Sequence, residues 1–429
     1  MGNENILTLE NEQLLLWLNS NGCQLTIADL ATVTSLSLNK ETITELPESI
    51  GNLKSLIDLD LRTAQITKLP ESIGNLSSLR TLYVSYTLLT ELPESIGNLQ
   101  ALIELDLSDT NLQRLPTSFG KLLNLQHVYL SHTQLTELPE NIGDLSSLQS
   151  ISFLDTKISK LPESVSKLKN LENIGCNDSD LKELPVSLGL LQSIKYLYLS
   201  GTKIKKLPES FGFLKGLNTL RLDRTEVSEL PKALGELQSL KILDLAKTKI
   251  TELPESIGSL RQLTHLNLSG LSLQHLPESI GNLTSLKFLD LIGTKLNKIP
   301  DSFCNLNSLV TLNLSQTQIG HLPANFGQLT NLITLTASNS SLSELPASLG
   351  ALPALKELIL NTTNLSKLPE DLGSLKSLQV LDISKTKISI LPESLGSLPE
   401  LRVIYLQESL VTTIPEGIGN IPNIIIIKD

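Results

Sequence analysis

The chain of 429 residues holds 34 Lys+Arg against 45 Asp+Glu, a formal net charge of −11, which speaks against non-specific nucleic-acid binding because that rests on cations neutralising phosphates. Its three cysteines, Cys23, Cys176 and Cys304, form no paired clusters, so a disulfide framework is excluded and a reducing compartment is expected. The N-terminus lacks a basic segment followed by an apolar core, and no apolar run nears the roughly 20 residues that span a bilayer, so no membrane association is expected.

Residues 1–32 stand outside the pattern that fills the rest of the chain. Leu9 to Asn19 carries Leu14, Leu15, Trp17 and Leu18 between the acidic Glu10 and Glu12 and the breaker Asn21-Gly22, and so predicts a short amphipathic helix. Its expected job, Trp17 included, is to cap the open end of the repeated stretch, since terminal units of a stack need a cover.

Residues 33–423 repeat one 23-residue unit seventeen times without insertion or deletion, with a proline at Pro47, Pro70 and so on to Pro415. A fixed period of this length marks stacked units, and one elongated domain is expected where length alone suggests more. Numbered from Leu240, the apolar positions 1, 4, 6, 11, 14, 18 and 21 (Leu240, Leu243, Leu245, Ile250, Leu253, Ile257, Leu260) fit neither a long helix nor a long strand. Each unit therefore coils as a whole and points these side chains into a shared interior. Positions 3 to 7 predict a short strand, with Leu243 and Leu245 inward and Ile242, Asp244 and Ala246 outward. Pro254 suits the first position of a helical turn, Glu255 the positive end of that turn's dipole, and Gly258 its close. Glycine fills that last place in fifteen of seventeen units, Ser166 and Cys304 being the exceptions. Residues 424–429 start an eighteenth strand, Ile424 to Ile427, without a visible cap. Such an edge invites pairing, so Lys428 and Asp429, a second molecule through self-association, or further chain is expected to cover it.

The pattern L-x-x-L-x-L-x-x-T-x-I-x-x-L-P resembles the leucine-rich repeat signature from Val33 to Asn423. Its LPESIGNL phrasing is similar to intracellular members, such as plant intracellular Ras-group-related and bacterial repeat proteins. The resemblance implies an α/β leucine-rich-repeat solenoid, a curved horseshoe with a parallel β-sheet on its concave face and short helical or 3-10 turns on its convex face. It also implies a cytoplasmic protein, or else an exported bacterial effector without a cleaved signal. The family usually carries Asn at position 9, where this chain has Thr in eleven units and Ser at 179, 340 and 409. A Thr hydroxyl is expected to do part of the same work on the backbone.

Positions 2, 3, 5, 7 and 8 face the open side of the sheet, and all six tyrosines fall there. Tyrosine offers large area and a polar tip to a partner, although it also favours strands for its own sake. One expected cluster joins Tyr83, Tyr86, His127, Tyr129 and His132 to Asp58, Asp60, Glu104, Asp106 and Asp109. A second joins Lys195, Tyr196 and Tyr198 to Arg221, Arg224, Lys241 and Lys247. Residues 1–150 carry a charge of −11, 151–250 of +4 and 251–429 of −4, so the face is expected to be acidic early and basic in the middle. Later outward positions, such as Asn267, Asn313 and Thr334, read as bland.

Catalytic readings are weak. His127 and His132 near Asp106 and Asp109 suggest a metal only as adjacent strands do by chance, Cys176 occupies an inward Leu slot, and Gly201-Thr202-Lys203 lacks phosphate-loop spacing. Neither a cofactor nor a metal is expected. The sequence supports a non-catalytic interaction scaffold that binds a protein or peptide on the sheet face. Two alternatives are a recognition fragment of a larger ubiquitin ligase, GTPase or kinase, for which this chain itself has no room, and a carbohydrate or small-ligand binder, disfavoured by a single Trp and an open face.

Overall fold

The computed structural model describes residues 2–428, with side chains from residue 8 onward; Met1 and Asp429, the latter one of the charges expected to guard the last strand, lie outside the described residues. The chain divides into two compact units, Met1–Ile204 and Lys205–Asp429.

The first unit opens with α1, Gly2–Ser20, longer than the predicted Leu9 to Asn19. Leu14 and Leu18 are buried, Leu15 and Trp17 half-buried, and Leu16 exposed. The expected stop at Asn21-Gly22 holds: Gly22 has φ 90°, Cys23 N–H donates to Leu18 O and Gly22 N–H to Asn19 O, the paired bonds of a left-handed helix end. Asn52 Nδ2 donates to Asn11 Oδ1 at 3.0 Å, tying the helix to the first turn of the repeats. Eight three-residue strands follow, Ser35–Ser37, Asp58–Asp60, Thr81–Tyr83, Glu104–Asp106, His127–Tyr129, Ser150–Ser152, Asn173–Gly175 and Tyr196–Tyr198 (β1–β8). Each pairs in parallel with the next at a register of 23 residues.

The second unit repeats the arrangement with Thr219–Arg221, Ile242–Asp244, His265–Asn267, Phe288–Asp290, Thr311–Asn313, Thr334–Thr336, Glu357–Ile359, Val380–Asp382, Val403–Tyr405 and Ile425–Ile427 (β9–β18), again parallel and at the 23-residue register, except that the last strand pairs at 22 residues, Val403 opposite Ile425. In both units the expected class holds: a parallel sheet on one side, short turns on the other, and the core between them. The seven apolar side chains of the Leu240 unit are all buried, from 0% exposed to 8% at Leu253. Burying each such side chain contributes about 1.5–3 kcal/mol.

Three details differ from the sequence reading. The strand covers only positions 3 to 5, so position 7 lies in the following turn, and Ala246, expected to face outward, is 7% exposed. Pro254 is not the first helical residue but precedes the 3-10 turn Glu255–Ser259, with φ −69° and ψ 148°, and its carbonyl accepts the first turn bond, from Ile257 N–H. Proline tolerates this place because its fixed φ is as compatible with extended backbone as with helix. The third concerns the recurrent glutamate, which caps the next turn instead of its own. Glu48 accepts from Ser72 N–H, Glu94 from Thr117 and Ser118 N–H, and Glu255 from Ser279 N–H, at 2.9 to 3.1 Å. At Glu94 slight burial pushes the carboxyl up, but the bonds from Ser118 and Thr117 outweigh it and hold it below its ordinary range.

Two further features shape each unit and its contact with the next. The position-9 hydroxyl donates to the carbonyl three residues back, as in Thr87 to Val84 O, Thr248 to Leu245 O and Thr386 to Ile383 O, at 2.7 to 2.9 Å. This is the expected backbone role. The turn glycine is needed for close approach rather than for a special backbone angle: a Cβ on Gly258 would lie 2.4 Å from Ser279 O and 2.6 Å from Ser279 Cβ in the next turn. Ser166 fits there by turning its hydroxyl onto Glu163 O at 2.7 Å. At Cys304, which is fully buried, the turn that follows shrinks to Phe326–Gln328.

Gly258→Ala should therefore lower stability to urea by about 1–3 kcal/mol through overpacking. Gly320→Ala, where nothing lies within 4 Å of the new Cβ, should stay within about 0.5 kcal/mol of wild type. Equal midpoints for the two would remove the close-approach explanation.

Candidate functional site

Each three-residue strand but the last buries its middle side chain and turns its outer two toward the open face, so the 23-residue register lines equivalent residues up in rows. In the first unit one row reads Asp58, Thr81, Glu104, His127, Ser150, Asn173, Tyr196, and the other Asp60, Tyr83, Asp106, Tyr129, Ser152, Gly175, Tyr198. The structure thus brings together Tyr83, Asp106, His127 and Tyr129 as expected, with Asp106 flanked by two tyrosines. Arg62 lies 5.3 Å from the centre of the Tyr83 ring while its guanidinium grips Asp60 through two bonds of 2.8 and 2.9 Å. Burial pushes the Tyr83 and Tyr129 phenols up, and Glu104 adds to both. Asp60 is raised by burial but lowered more by Arg62, for a net fall.

Tyr86 does not join that row. It sits three residues beyond Tyr83 in a left-handed turn with φ 58°, 61% exposed, because the strand has already ended. His132 and Asp109 take the same turn position, with φ 55° and 54°, and His132 Nδ1 stands 3.2 Å from Asp155 Oδ2. Lys195 is paired with Glu172 at 2.8 Å. Tyr196 and Tyr198 stack in parallel, with centroids 6.4 Å apart and planes 3° off, while Gly175, opposite Tyr198 in the register, is buried.

The second expected cluster divides: Lys195, Tyr196 and Tyr198 belong to the first unit, Arg221 and Arg224 to the second. Arg221 ends β9 and is exposed. Arg224 occupies the left-handed turn with φ 60°, and its Nε meets Asp223 Oδ2 at 3.2 Å. The face beyond them is not bland. His265 and Phe288, neighbours in one row, stack at 4.4 Å and 18°, and Phe288 is 40% exposed. The sequence signal for this pair is a ring in the same outward strand position of two successive units, at His265 and Phe288.

Several acidic residues of the face have a structural job. Asp60, Asp106, Asp244 and Asp290 each accept, at 3.0 Å, from the backbone N–H two residues on. Asn267, Asn313 and Asp382 do the same. The bond turns the chain from the strand into the left-handed residue at position 8. At Asp244 burial, then neighbouring Asp223, raises the carboxyl despite that bond.

Among the described residues, no three His, Cys, Asp or Glu side chains come together as a metal would need, and no helix is long and apolar enough to cross a membrane. Cys176 is fully buried, as its Leu slot predicts. Two grooves of about 640 and 440 Å³ run along the Leu-Pro-Glu corners, one past Glu255, His275 and Lys295, the other past Glu140, Lys160 and Glu183. Both follow the repeat and lie off the tyrosine rows.

A family model described as leucine-rich repeat region matches residues 5–89, 72–130, 117–178, 214–292, 273–361 and 347–425. Among solved structures, a leucine-rich repeat protein of Leptospira interrogans is 34% identical with a TM-score of 0.78, over 88% of this chain and 96% of its own. The plant peptide hormone receptor RGFR1, solved in complex with RGF2, is 27% identical with a TM-score of 0.67, over 92% and 70%. YopM of Yersinia enterocolitica, at 24% identity and a TM-score of 0.62 over 92% and 75%, is alike in fold alone. No curated protein matches the chain.

The turn-forming role of Asp106 predicts that Asp106→Asn, which keeps the acceptor, unfolds with wild-type stability. Asp106→Ala should lose about 1 kcal/mol. Equal losses in both variants, read by urea unfolding, would show that charge and not the backbone bond matters there.

Proposed function

The chain belongs to the leucine-rich repeat family, and we propose that it is a non-catalytic recognition module that binds a protein or peptide through the open faces of its sheets. One observation carries the reading. Tyr83, Tyr129 and Tyr198 stand half-buried in the outward rows and Tyr196 stands exposed there, and none of the four rings belongs to the core. Half-covered aromatic rings of this kind are what partners anchor on. The complex of the plant receptor with RGF2 supports the same direction for this chain. Its three cysteines are free, which fits a reducing compartment such as the cytoplasm.

The test is selection of displayed peptides and protein fragments against the full chain, followed by binding to variants. Tyr83→Ala/Tyr129→Ala or Tyr196→Ala/Tyr198→Ala should weaken the selected ligands by about 10-fold or more. Glu209→Lys, on the turn side, should leave them unaffected. Ligands that ignore both tyrosine pairs and respond to the turn-side change would place recognition elsewhere.

A further inference from the structure

The sheet face of the second unit holds a second aromatic surface with its own charge. Along one row Ile242, His265 and Phe288 follow one another in register: Ile242 is half-buried, and the His265–Phe288 stack is exposed. On one flank stand the exposed Lys241 and Lys287, one residue before Ile242 and Phe288. On the other, beyond the Asp244, Asn267 and Asp290 row, come Lys247, Gly270 and Gly293, the last two with φ 72° and 70° and no side chain to cover the stack. A Cβ on Gly293 would find nothing nearer than 3.8 Å, whereas one on Gly270 would meet Lys247 Cγ at 3.1 Å, so the shelf is open at Gly293 and has the Lys247 side chain lying against Gly270. Lys241, Lys247 and Lys287 have no carboxylate within ion-pair distance among the described residues. The three acids of this stretch are engaged: Asp244 and Asp290 each accept a backbone N–H, and Asp223 lies against Arg224.

His265 is steadied by the residue before it. Thr264 Oγ1 donates to Lys241 O at 3.0 Å and lies 2.8 Å from His265 Nδ1, so that hydroxyl accepts from Nδ1–H and leaves Nε2 bare. Burial, then Lys287, lowers the imidazole from its ordinary range. A cationic ligand would be repelled by the three exposed lysines, while Asp244 and Asp290 already accept backbone N–H groups. An anionic one with an apolar side chain meets cations on the flank and a stacked ring pair at the centre.

We propose that Ile242, His265 and Phe288, flanked by Lys241 and Lys287, form a docking surface for an extended acidic peptide segment that carries a large apolar or aromatic side chain. The proposal rests on the reading of the sheet face as a recognition surface and adds the chemistry of the ligand. The two lysines stand two strands apart, roughly 9–10 Å, which an extended chain covers in about three residues. An extended segment turns residues i, i+2 and i+4 to one surface, so the matching segment has its apolar side chain at i+2 and carboxylates at i and i+4, whose long side chains take up the small remaining difference in span.

The test uses the full chain and fluorescein-labelled peptides read by polarisation: one centred on Glu-Ser-Phe-Ser-Glu, its Lys-Ser-Phe-Ser-Lys inverse, its Glu-Ser-Ser-Ser-Glu counterpart, and a short oligothymidylate. The acidic phenylalanine peptide should bind, and the other two peptides at least about 10-fold more weakly. Phe288→Ser and Lys241→Glu/Lys287→Glu, checked for folding by circular dichroism, should each remove the preference. Equal binding of the acidic and basic peptides, no peptide binding at all, unchanged binding to Phe288→Ser, or tighter binding of the oligothymidylate would overturn it. Selected ligands that need Tyr83 and Tyr129 but ignore Phe288→Ser would end this inference while leaving sheet-face recognition standing.

Discussion

The constraint on which the fold depends is the approach of one turn to the next. At Gly258 the space a Cβ would fill is taken by the carbonyl and side chain of Ser279, so backbone packs on backbone and the side chains of positions 4, 6 and 18 close over one another without gaps. Once that spacing is set, the other contacts fall into place. The carboxylate after each proline reaches the amides of the neighbouring turn, as Glu94 reaches Thr117 and Ser118, and the position-9 hydroxyl holds its own strand end, as Thr248 holds Leu245 O. A single 23-residue unit buries little, and stability comes from neighbours.

That division of labour explains what is left over. Core, turn and unit-to-unit bonds occupy positions 1, 4, 6, 9, 11, 14, 16, 18, 19 and 21, and the acceptor at position 5 shapes the turn in several units. The residue at position 8 adopts a left-handed conformation even where it is Tyr86, His132 or Arg224, a backbone state that costs roughly 1–2 kcal/mol for such residues. The neighbours hold it there, through bonds such as Arg224 N–H to Ala246 O and Lys247 N–H to Ser269 O. Side chains at positions 2 and 3 have no place in the core or the turn, although a few bridge units, as Lys195 does to Glu172. Tyr196, Lys241, His265 and Phe288 all stand there, which is why the most variable chemistry of the chain is found on them.

The period, the core residues and the short strands were legible in the sequence because each depends on one residue type recurring at one spacing. The Leu240 unit shows this directly, since all seven predicted core side chains are buried. What was not legible depends on the next unit. The glutamate after proline looks like a cap for its own turn until the neighbouring turn is in place, and Gly258 looks like a turn residue until Ser279 is seen against it. Asp106 reads as a partner residue from its type and place, yet its carboxylate is turned to Ser108 N–H. The tyrosine rows were found from composition, whereas His265 and Phe288 were passed over because neither residue type is unusual alone and only the register stacks them.

The central claim is that the aromatic side chains of the outward rows are spared from holding the fold together. The most direct measurement is the unfolding free energy of the triple variant Tyr83→Ser/Tyr196→Ser/Phe288→Ser beside that of Leu243→Ala, by urea titration of the full chain. Leu243→Ala should cost about 2–5 kcal/mol, and the triple variant less than that single core change. A triple variant that loses more stability than Leu243→Ala would contradict the account, because those side chains would then be part of what holds the stack together.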